Sequence, residues 1–451
     1  MTDFSSLRGT VSGVVLTPSD ADYASEVTGY NLAVESRPEV VVGVASTQDV
    51  IAAVRFASEH GLPVRVQSTG HGAQLVSDGM LINTKRLDAV SVDPDTRIAT
   101  IGAGARWAAV IAAADPFGLA PITGGSASVG AVGYLLGGGL GPLARSHGFS
   151  SDWVRAFSVV TADGELVTAS ADAHPDLFWA LRGGKGGLGV VTEARVELAE
   201  LPELYAGALM FEGDAIDPAL RAWAAFTETA PDDVTTSAAI IHFPPMDFIP
   251  EIFRGKDILS VRFARPGDAA TGESLAAPLR AAATPLIDGI GPMPRANVAL
   301  IHNDPSDPGP SWGAGMLLDR FDDAFIDLVL ANFGAGVRGP FMVTEVRHLG
   351  AATSRDVDGG SAVGGRDSGF AFTVIGRPDP SLFAEVLPAA LAALKPQLAP
   401  WLSSGTNIHW IEWGSDADVA RSWPADVLAR LKAVRAEVDP HGRFPFGAPA
   451  D

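Results

Sequence analysis

The sequence predicts a mixed α/β protein of the α+β class with two domains, and three observations support this. The chain has 451 residues, which exceeds the size at which one hydrophobic core keeps growing. Apolar residues make up 47% of it, and 50 glycines and 32 prolines are typical of buried elements joined by many turns. Short strand patterns also alternate with amphipathic helical patterns along most of the chain.

The first 200 residues are predicted to form two small α/β lobes. A strand at 40–44 leads into a helix that Ser46 caps and Gly61 ends, and the next strand starts at Val64. The further elements expected in this part are a strand at 79–83, a hairpin over 88–101, a helix at 105–114, a hairpin around the Asp163-Gly164 turn, a helix at 176–182 and a strand at 190–198.

The pattern changes near Leu201-Pro202, where a second domain is expected to begin. Helices at 217–229 and 321–333 alternate there with strands at 257–263 and 341–348. A last amphipathic helix at 427–436 ends before Asp439-Pro440.

Charge and composition exclude several classes of function. The chain has 53 acidic and 32 basic residues, and the net charge of −21 repels nucleic acid and anionic membranes. Cysteine is absent, so disulfides, thiolate nucleophiles and cysteine-ligated metals are excluded. The first residues lack a signal-peptide pattern, and no run of about 18 apolar residues occurs. We therefore expect a cytoplasmic protein that binds neither nucleic acid nor membrane.

Several familiar motifs are absent or stand in the wrong context. Two G-x-G-x-x-G matches, at 184–189 and 334–339, follow a helix and precede a strand, the reverse of the order that binds a dinucleotide. There is no P-loop and no G-x-S-x-G. The histidines show no metal-ligand spacing, so no metal site is expected.

Two segments carry the functional signal. Residues 65–72 read Arg-Val-Gln-Ser-Thr-Gly-His-Gly, a turn whose backbone amides and hydroxyls can face an anion while His71 lies beside it. Residues 123–141 contain eight glycines among nineteen residues. That is too many for a regular helix or sheet unless a flat ligand lies against the backbone.

These segments, with Phe178-Trp-Ala-Leu-Arg-Gly-Gly-Lys-Gly-Gly-Leu-Gly-Val-Val-Thr, closely resemble the FAD-binding (PCMH-type) domain of the vanillyl alcohol oxidase superfamily. The best match is to berberine bridge enzyme-like oxidases, strong over residues 35–200 and weaker beyond. The resemblance implies an FAD-binding domain over 1–200 that 399–451 completes. It also implies a substrate domain over 201–398, with an antiparallel sheet covered by helices.

The resemblance implies that FAD is bound covalently through one bond from the 8α carbon to His71. Relatives with a second link carry a cysteine where this chain has Ser126. The cofactor-binding residues carried over are Gln67, Ser68, Thr69, Gly70, His71, Gly72, Thr123, Ser128, Val129, Gly130, Gly133, Tyr134, Gly138, Gly186, Gly189, Val191 and Asn407.

The resemblance also implies the catalytic residues. Glu345 matches the carboxylate that accepts the substrate's proton, and Arg347 lies on the same face of the strand. The family's C-terminal tyrosine is missing from 405–414, which leaves Asn407 and His409 as the nearest polar substitutes. Trp410 and Trp413 either line an aromatic pocket or pack in the core, and packing is favoured.

The function implied is an FAD-dependent oxidase that moves a hydride from a small organic substrate to the flavin and uses O2 as acceptor, giving H2O2. An alcohol, an amine or an intermediate of secondary metabolism would suit. Three alternatives stay open: a dehydrogenase with another acceptor, a redox-neutral cyclase, and a non-catalytic binding protein. The sequence does not indicate the oligomeric state.

Overall fold

The structure is a computed structural model that describes residues 2–72, 75–411 and 419–447. Within these residues the α+β class is confirmed, since helices cover sheets of four, five and eight strands, and a two-stranded sheet pairs Ala199–Glu200 with Leu119–Ala120. Trp413 lies outside the described residues. None of the helices traced in the described ranges has the length and apolarity that a membrane crossing needs.

The first lobe is built on a four-stranded sheet. Its spatial order is Val14–Leu16, Val40–Gly43, Met80–Asn83 and Val64–Gln67, and the last three strands run parallel. The helix Thr47–His60 packs on it and shows both predicted end signals. The Ser46 side chain accepts a hydrogen bond from the Asp49 N–H, and Gly61 ends the helix with a φ of 68°.

The second lobe contains an antiparallel five-stranded sheet. Its order is Val90–Asp93, Ile98–Gly102, Val190–Glu197, Val154–Val160 and Leu166–Ser170. The helices Trp107–Ala114 and Pro175–Leu181 contribute to the core on one face of this sheet, around the fully buried Trp107 and Phe157. The first two strands of this sheet pair as one predicted hairpin, and the last two pair as the other, so both hairpins are confirmed.

The glycine-rich stretch at 123–141 differs from the prediction in one respect. It includes a short helix, Ala131–Leu135, although the glycine content argued against regular structure. Ala131 and Leu135 are fully buried in the core of the second lobe. Burial of these apolar side chains offsets the low helix propensity of the surrounding glycines.

Residues 204–376 form the large antiparallel sheet. Its order is Ile287–Asp288, Leu204–Glu212, Asp257–Pro266, Thr235–His242, Phe341–His348, Phe370–Gly376 and Gly313–Leu318, and Gly291–Pro292 also pairs with Leu204–Glu212. Helices pack on one face of it: Ile216–Thr229, Ala269–Ala281, Asp323–Phe333 and Val386–Leu398. Because side chains alternate along a strand, the apolar residues face these helices and a set of polar residues faces the first domain.

The final helix, Ala425–Val438, packs back against the N-terminal region. Its Leu431 and Val434 join the core of the second lobe, and the helix contacts Pro175–Leu181. The shorter helices are Ser5–Thr10, Tyr23–Val27, Ala144–His147, Asp115–Phe117, Ser150–Trp153, Gly213–Ala215, Arg295–Ile301, Ala351–Ser354 and Pro380–Leu382.

A buried arginine joins the second lobe to the large sheet. The side chain of Arg145 is 5% exposed, and its guanidinium donates to the carbonyl oxygens of Val234 and Leu349. Its only carboxylate neighbour among the described residues is the exposed Asp232, at 3.9 Å. Backbone carbonyls of the second domain therefore hold this cation in place.

We expect Arg145→Met to lower the free energy of unfolding by about 2–4 kcal/mol, because it leaves buried carbonyl oxygens without donors. Thermal and denaturant unfolding would measure the change. Arg37→Met is the control, since it removes an exposed ion pair with Glu35 and should cost less than about 1 kcal/mol. Equal losses in the two variants would contradict this account of the domain contact.

Candidate active site

A cavity of about 540 Å³ runs between the two lobes and reaches the large sheet. Its size lies within the range of roughly 300–1,000 Å³ that is typical of cofactor and ligand sites. The predicted site residues that line it are Gln67, Ser68, Thr69, Gly70, His71, Gly72, Val129, Gly130, Gly133, Tyr134, Gly186, Gly189, Val191, Arg347 and His409. Folding thus brings five distant segments of the chain to one cavity.

The turn at 68–72 follows the strand Val64–Gln67 and brings His71 to the cavity. Gly70 has a φ of 76°, and a Cβ there would overlap the backbone of Gly29 and Tyr30. Only glycine fits this combination of backbone angle and close packing. The Ser68 hydroxyl is buried and has no hydrogen-bond partner among the described residues, so it can bind a ligand in the cavity.

The His71 imidazole is held on three sides. Its Nδ1 lies 2.9 Å from the Thr69 hydroxyl, and its Nε2 lies 3.1 Å from the Ser128 hydroxyl. The ring of Tyr30 stacks on it with centroids 3.6 Å apart. Burial, with a smaller contribution from the Arg106 guanidinium, lowers the pKa of His71 to about 4. The imidazole is therefore neutral near pH 7 and keeps a nucleophilic lone pair.

Tyr134 and His409 form a second cluster of polar side chains in the cavity. These rings stack with centroids 5.2 Å apart, and the edge of Trp107 supports Tyr134. Burial raises the pKa of the Tyr134 phenol. Burial, followed by the charge of Lys185, holds the pKa of His409 well below its ordinary value. Both side chains are therefore neutral near pH 7.

Lys185 is a functional candidate that the sequence did not reveal. It lines the cavity with a left-handed φ of 71° inside the Gly183–Gly189 run. Its Nζ donates to the Gly133 carbonyl oxygen at 3.0 Å and lies 3.3 Å from His409 Nε2. Burial lowers its pKa to about 8, so it is still largely protonated at pH 7. A lysine within a run of glycines was the available signal.

Glu345 lies in a buried charge cluster on the inner face of the large sheet. Its Oε1 accepts hydrogen bonds from Arg262 at 2.6 Å and from the Ser237 hydroxyl at 2.9 Å. Its Oε2 accepts two bonds from Arg347, at 2.8 and 3.0 Å. Burial acts to raise the pKa of Glu345, but Arg347 and Arg262 outweigh it and hold the pKa well below its ordinary value.

This environment disfavours the predicted role of Glu345 as proton acceptor. A general base works best with a pKa near the operating pH, and both oxygens of this carboxylate already accept hydrogen bonds. Glu345 is also absent from the residues that line the cavity, whereas its partner Arg347 is among them. The geometry favours a positioning role, in which Glu345 holds Arg347 towards the ligand.

Four other predicted residues do not line the cavity either. Ser128 does not face the cavity itself, but its hydroxyl contacts Nε2 of His71. Asn407 donates to the Gly364 carbonyl oxygen and accepts from the His409 N–H, so it orients His409. The buried Thr123 donates to the Gly124 carbonyl oxygen, and Gly138 packs near Val363 and Phe149. These residues support the walls of the cavity.

Two more residues of the site had no signal in the sequence. Tyr30 reaches His71 from an N-terminal segment, and Asp304 lines the cavity from a loop of the second domain. Neither belongs to a recognisable motif, and only the fold brings them to the cavity. Among the residues that the structure describes, no cluster of potential ligands could hold a metal ion.

The cavity fits a flavin nucleotide. It offers an unpartnered buried hydroxyl at Ser68, and the backbone at Gly130 lies so close to Ser68 and Thr69 that a Cβ would crowd them. A turn of free amides and hydroxyls is suited to phosphate, and glycine-lined walls are suited to a flat ring. The residues present thus match the chemistry of the cofactor.

Comparison with known proteins supports this fit. Residues 38–170 match the family model described as an FAD binding domain. The chain is 25% identical to the uncharacterized FAD-linked oxidoreductase YgaK of Bacillus subtilis (strain 168), over 97% of this chain and 96% of that protein. Two solved structures share the fold over the full length of both chains. They are 6-hydroxy-D-nicotine oxidase from Arthrobacter nicotinovorans (TM-score 0.84, 24% identity) and BBE-like 1 from Physcomitrella patens (TM-score 0.81, 18% identity).

The family match over residues 38–170 and the residues that line the cavity therefore identify an FAD-binding domain in the N-terminal part of the chain. The chain shares over its full length the fold of a protein named BBE-like 1, in keeping with the resemblance of its glycine-rich segments.

We expect Glu345→Gln to lower kcat by less than about 100-fold, which is below the usual effect of losing a proton-transfer group. The shape of the pH profile of kcat/KM between pH 5 and 8 should not change, because the pKa of Glu345 already lies below that range. Steady-state kinetics with any substrate that reduces the flavin would measure both.

Ser237→Ala is the matched control, since it removes one neutral hydrogen bond from the same carboxylate. If the fall of kcat/KM at acid pH disappeared in Glu345→Gln but remained in Ser237→Ala, Glu345 would instead be the proton acceptor.

Proposed function

We propose that this protein is an FAD-dependent oxidase that removes a hydride from a small organic substrate and passes the electrons to O2, forming H2O2. The observation that carries the proposal is the meeting, in one cavity, of a neutral His71, glycine-lined walls and Arg347 from the second domain. His71 would be the single covalent attachment of the flavin, since Ser126 stands where relatives with two links carry cysteine.

Different residues along the cavity would bind the phosphates, hold the cofactor and stabilise charge on its ring. Ser68, Thr69 and the backbone amides around them bind the phosphates, and His71 holds the cofactor. The flavin, when bound, accepts the hydride. Lys185 places a positive charge in the same cavity, where it favours the negative charge that a ring gains on reduction.

Substrate would lie between the flavin-binding walls and the inner face of the large sheet. Arg347 is the charged group of that sheet that lines the cavity, and Glu345 holds it with two hydrogen bonds. A guanidinium fixed in this way can orient an oxygen or another polar group of the substrate. We therefore propose Arg347 as the substrate-orienting residue and Glu345 as its support.

The structural relative 6-hydroxy-D-nicotine oxidase is an oxidase by name, and the present chain shares its fold over its whole length. This likeness supports O2 as the acceptor here. Alcohols and amines of small size are the substrate classes that we propose to screen first.

Acid precipitation tests the tether. We expect the yellow colour of the wild-type protein to stay in the pellet, and that of His71→Ala to move to the supernatant. Ser126→Ala is the control and should keep its colour in the pellet, because it leaves His71 in place. Wild-type colour in the supernatant would refute covalent attachment.

Stopped-flow spectroscopy tests the oxidase function. A substrate found by anaerobic screening should bleach the flavin absorbance, and mixing with air-saturated buffer should restore it within one turnover while H2O2 accumulates. Slow recovery in air with rapid recovery by an artificial acceptor would identify a dehydrogenase. A product formed without any bleaching would identify a redox-neutral catalyst and overturn the proposal.

A further inference from the structure

Tyr30 makes an unusual contact with the site. Its ring is nearly parallel to the His71 imidazole, with an interplanar angle of 14° and centroids 3.6 Å apart. Its backbone N–H donates to the Thr69 carbonyl oxygen at 2.9 Å. Tyr30 therefore touches both the side chain and the backbone of the turn that carries the proposed tether.

The other side of Tyr30 is held by the second domain. Its hydroxyl donates to the Pro305 carbonyl oxygen at 2.8 Å, and its own carbonyl oxygen accepts from the Gly309 N–H at 3.1 Å. The neighbouring Asn31 makes two hydrogen bonds with the backbone of Ser311, at 2.9 and 3.0 Å. The loop at 303–311 thus fixes the segment at 29–32 against the His71 turn.

The three contacts of His71 restrain different motions of its ring. Hydrogen bonds at Nδ1 and Nε2 act in the plane of the imidazole, whereas the Tyr30 stack acts on its face. The second side-chain torsion of histidine is soft, so in-plane bonds alone leave the ring free to tilt. A lone pair reacts only when it points at the electrophilic carbon.

We propose that Tyr30 is a positioning residue for covalent attachment of the flavin, holding the His71 ring in the reactive orientation while the loop at 303–311 holds Tyr30. The inference rests on the proposed tether. It adds that attachment depends on the docking of the second domain, because that domain supplies the loop.

Covalent attachment conserves atoms and electrons. The flavin 8α-methyl carbon loses a proton, the imidazole loses its N–H proton, and a carbon–nitrogen bond forms. The two electrons of the broken C–H bond reduce the flavin, and O2 reoxidises it with release of H2O2. Tyr30 takes no electron or proton in this step; it holds the ring that does.

The test follows covalent incorporation in the full-length protein. Protein from riboflavin-starved cells is mixed with FAD, and samples taken over time are denatured in acid and run on a gel in which covalent flavin fluoresces. We expect Tyr30→Leu to slow attachment by roughly five- to tenfold, the loss expected from one aromatic stack. Total bound flavin, measured before denaturation, should stay at the wild-type level.

Tyr30→Phe is the matched control, because it keeps the ring and removes only the bond to Pro305. It should attach flavin at close to the wild-type rate. Tyr30→Met fills a similar volume without a flat ring and replaces Tyr30→Leu if that variant does not fold.

The pH profile supplies a second measurement. Loss of the covering ring exposes the imidazole, so the pH below which attachment slows should rise from about 4 towards the ordinary value of histidine. An unchanged midpoint would show that the Tyr30 ring does not cover the His71 imidazole.

The outcomes separate the two proposals. Attachment in Tyr30→Leu at the wild-type rate, or loss of total flavin binding in that variant, would overturn the positioning role while the tether stands. Absence of covalent flavin in the wild-type protein would overturn the tether, and the positioning role with it.

Discussion

The site depends on glycines at close contacts, where there is no room for a side chain. Gly70 packs against Gly29 and Tyr30, and Gly137 packs against the His409 ring, where a Cβ would overlap Nε2. If either position held a larger residue, the turn at 68–72 or the wall formed by His409 would have to move. Gly70 and His409 both line the cavity, so these close contacts fix the position of its walls.

The second constraint is the placement of charge around that cavity. Burial lowers the pKa of its histidines, so they are neutral, and Lys185 and Arg347 contribute positive charge. Glu345 is the buried carboxylate that holds Arg347, and Arg262 completes the cluster. A carboxylate with two guanidinium partners keeps its negative charge, and this is why we propose that Glu345 supports Arg347.

Much of the fold could be predicted because local rules decide it. Ser46 and Gly61 bound their helix as the capping rules require, and the Asp163-Gly164 turn joins a regular hairpin. Local rules were insufficient where packing decides the outcome. The helix Ala131–Leu135 forms within a glycine-rich stretch because its apolar side chains are buried in a core that the local sequence does not reveal.

The sequence by itself indicated the class of cofactor and the residue proposed to hold it, because three segments resemble a known FAD-binding domain in their order and spacing. Only the tertiary structure shows which groups Glu345, Lys185 and Tyr30 contact. Arg262 comes from a strand 83 residues before Glu345, and Tyr30 is anchored by a loop 275 residues away. A pKa, a stacked ring or a fixed guanidinium depends on which groups come together in space, and these groups come from distant parts of the chain.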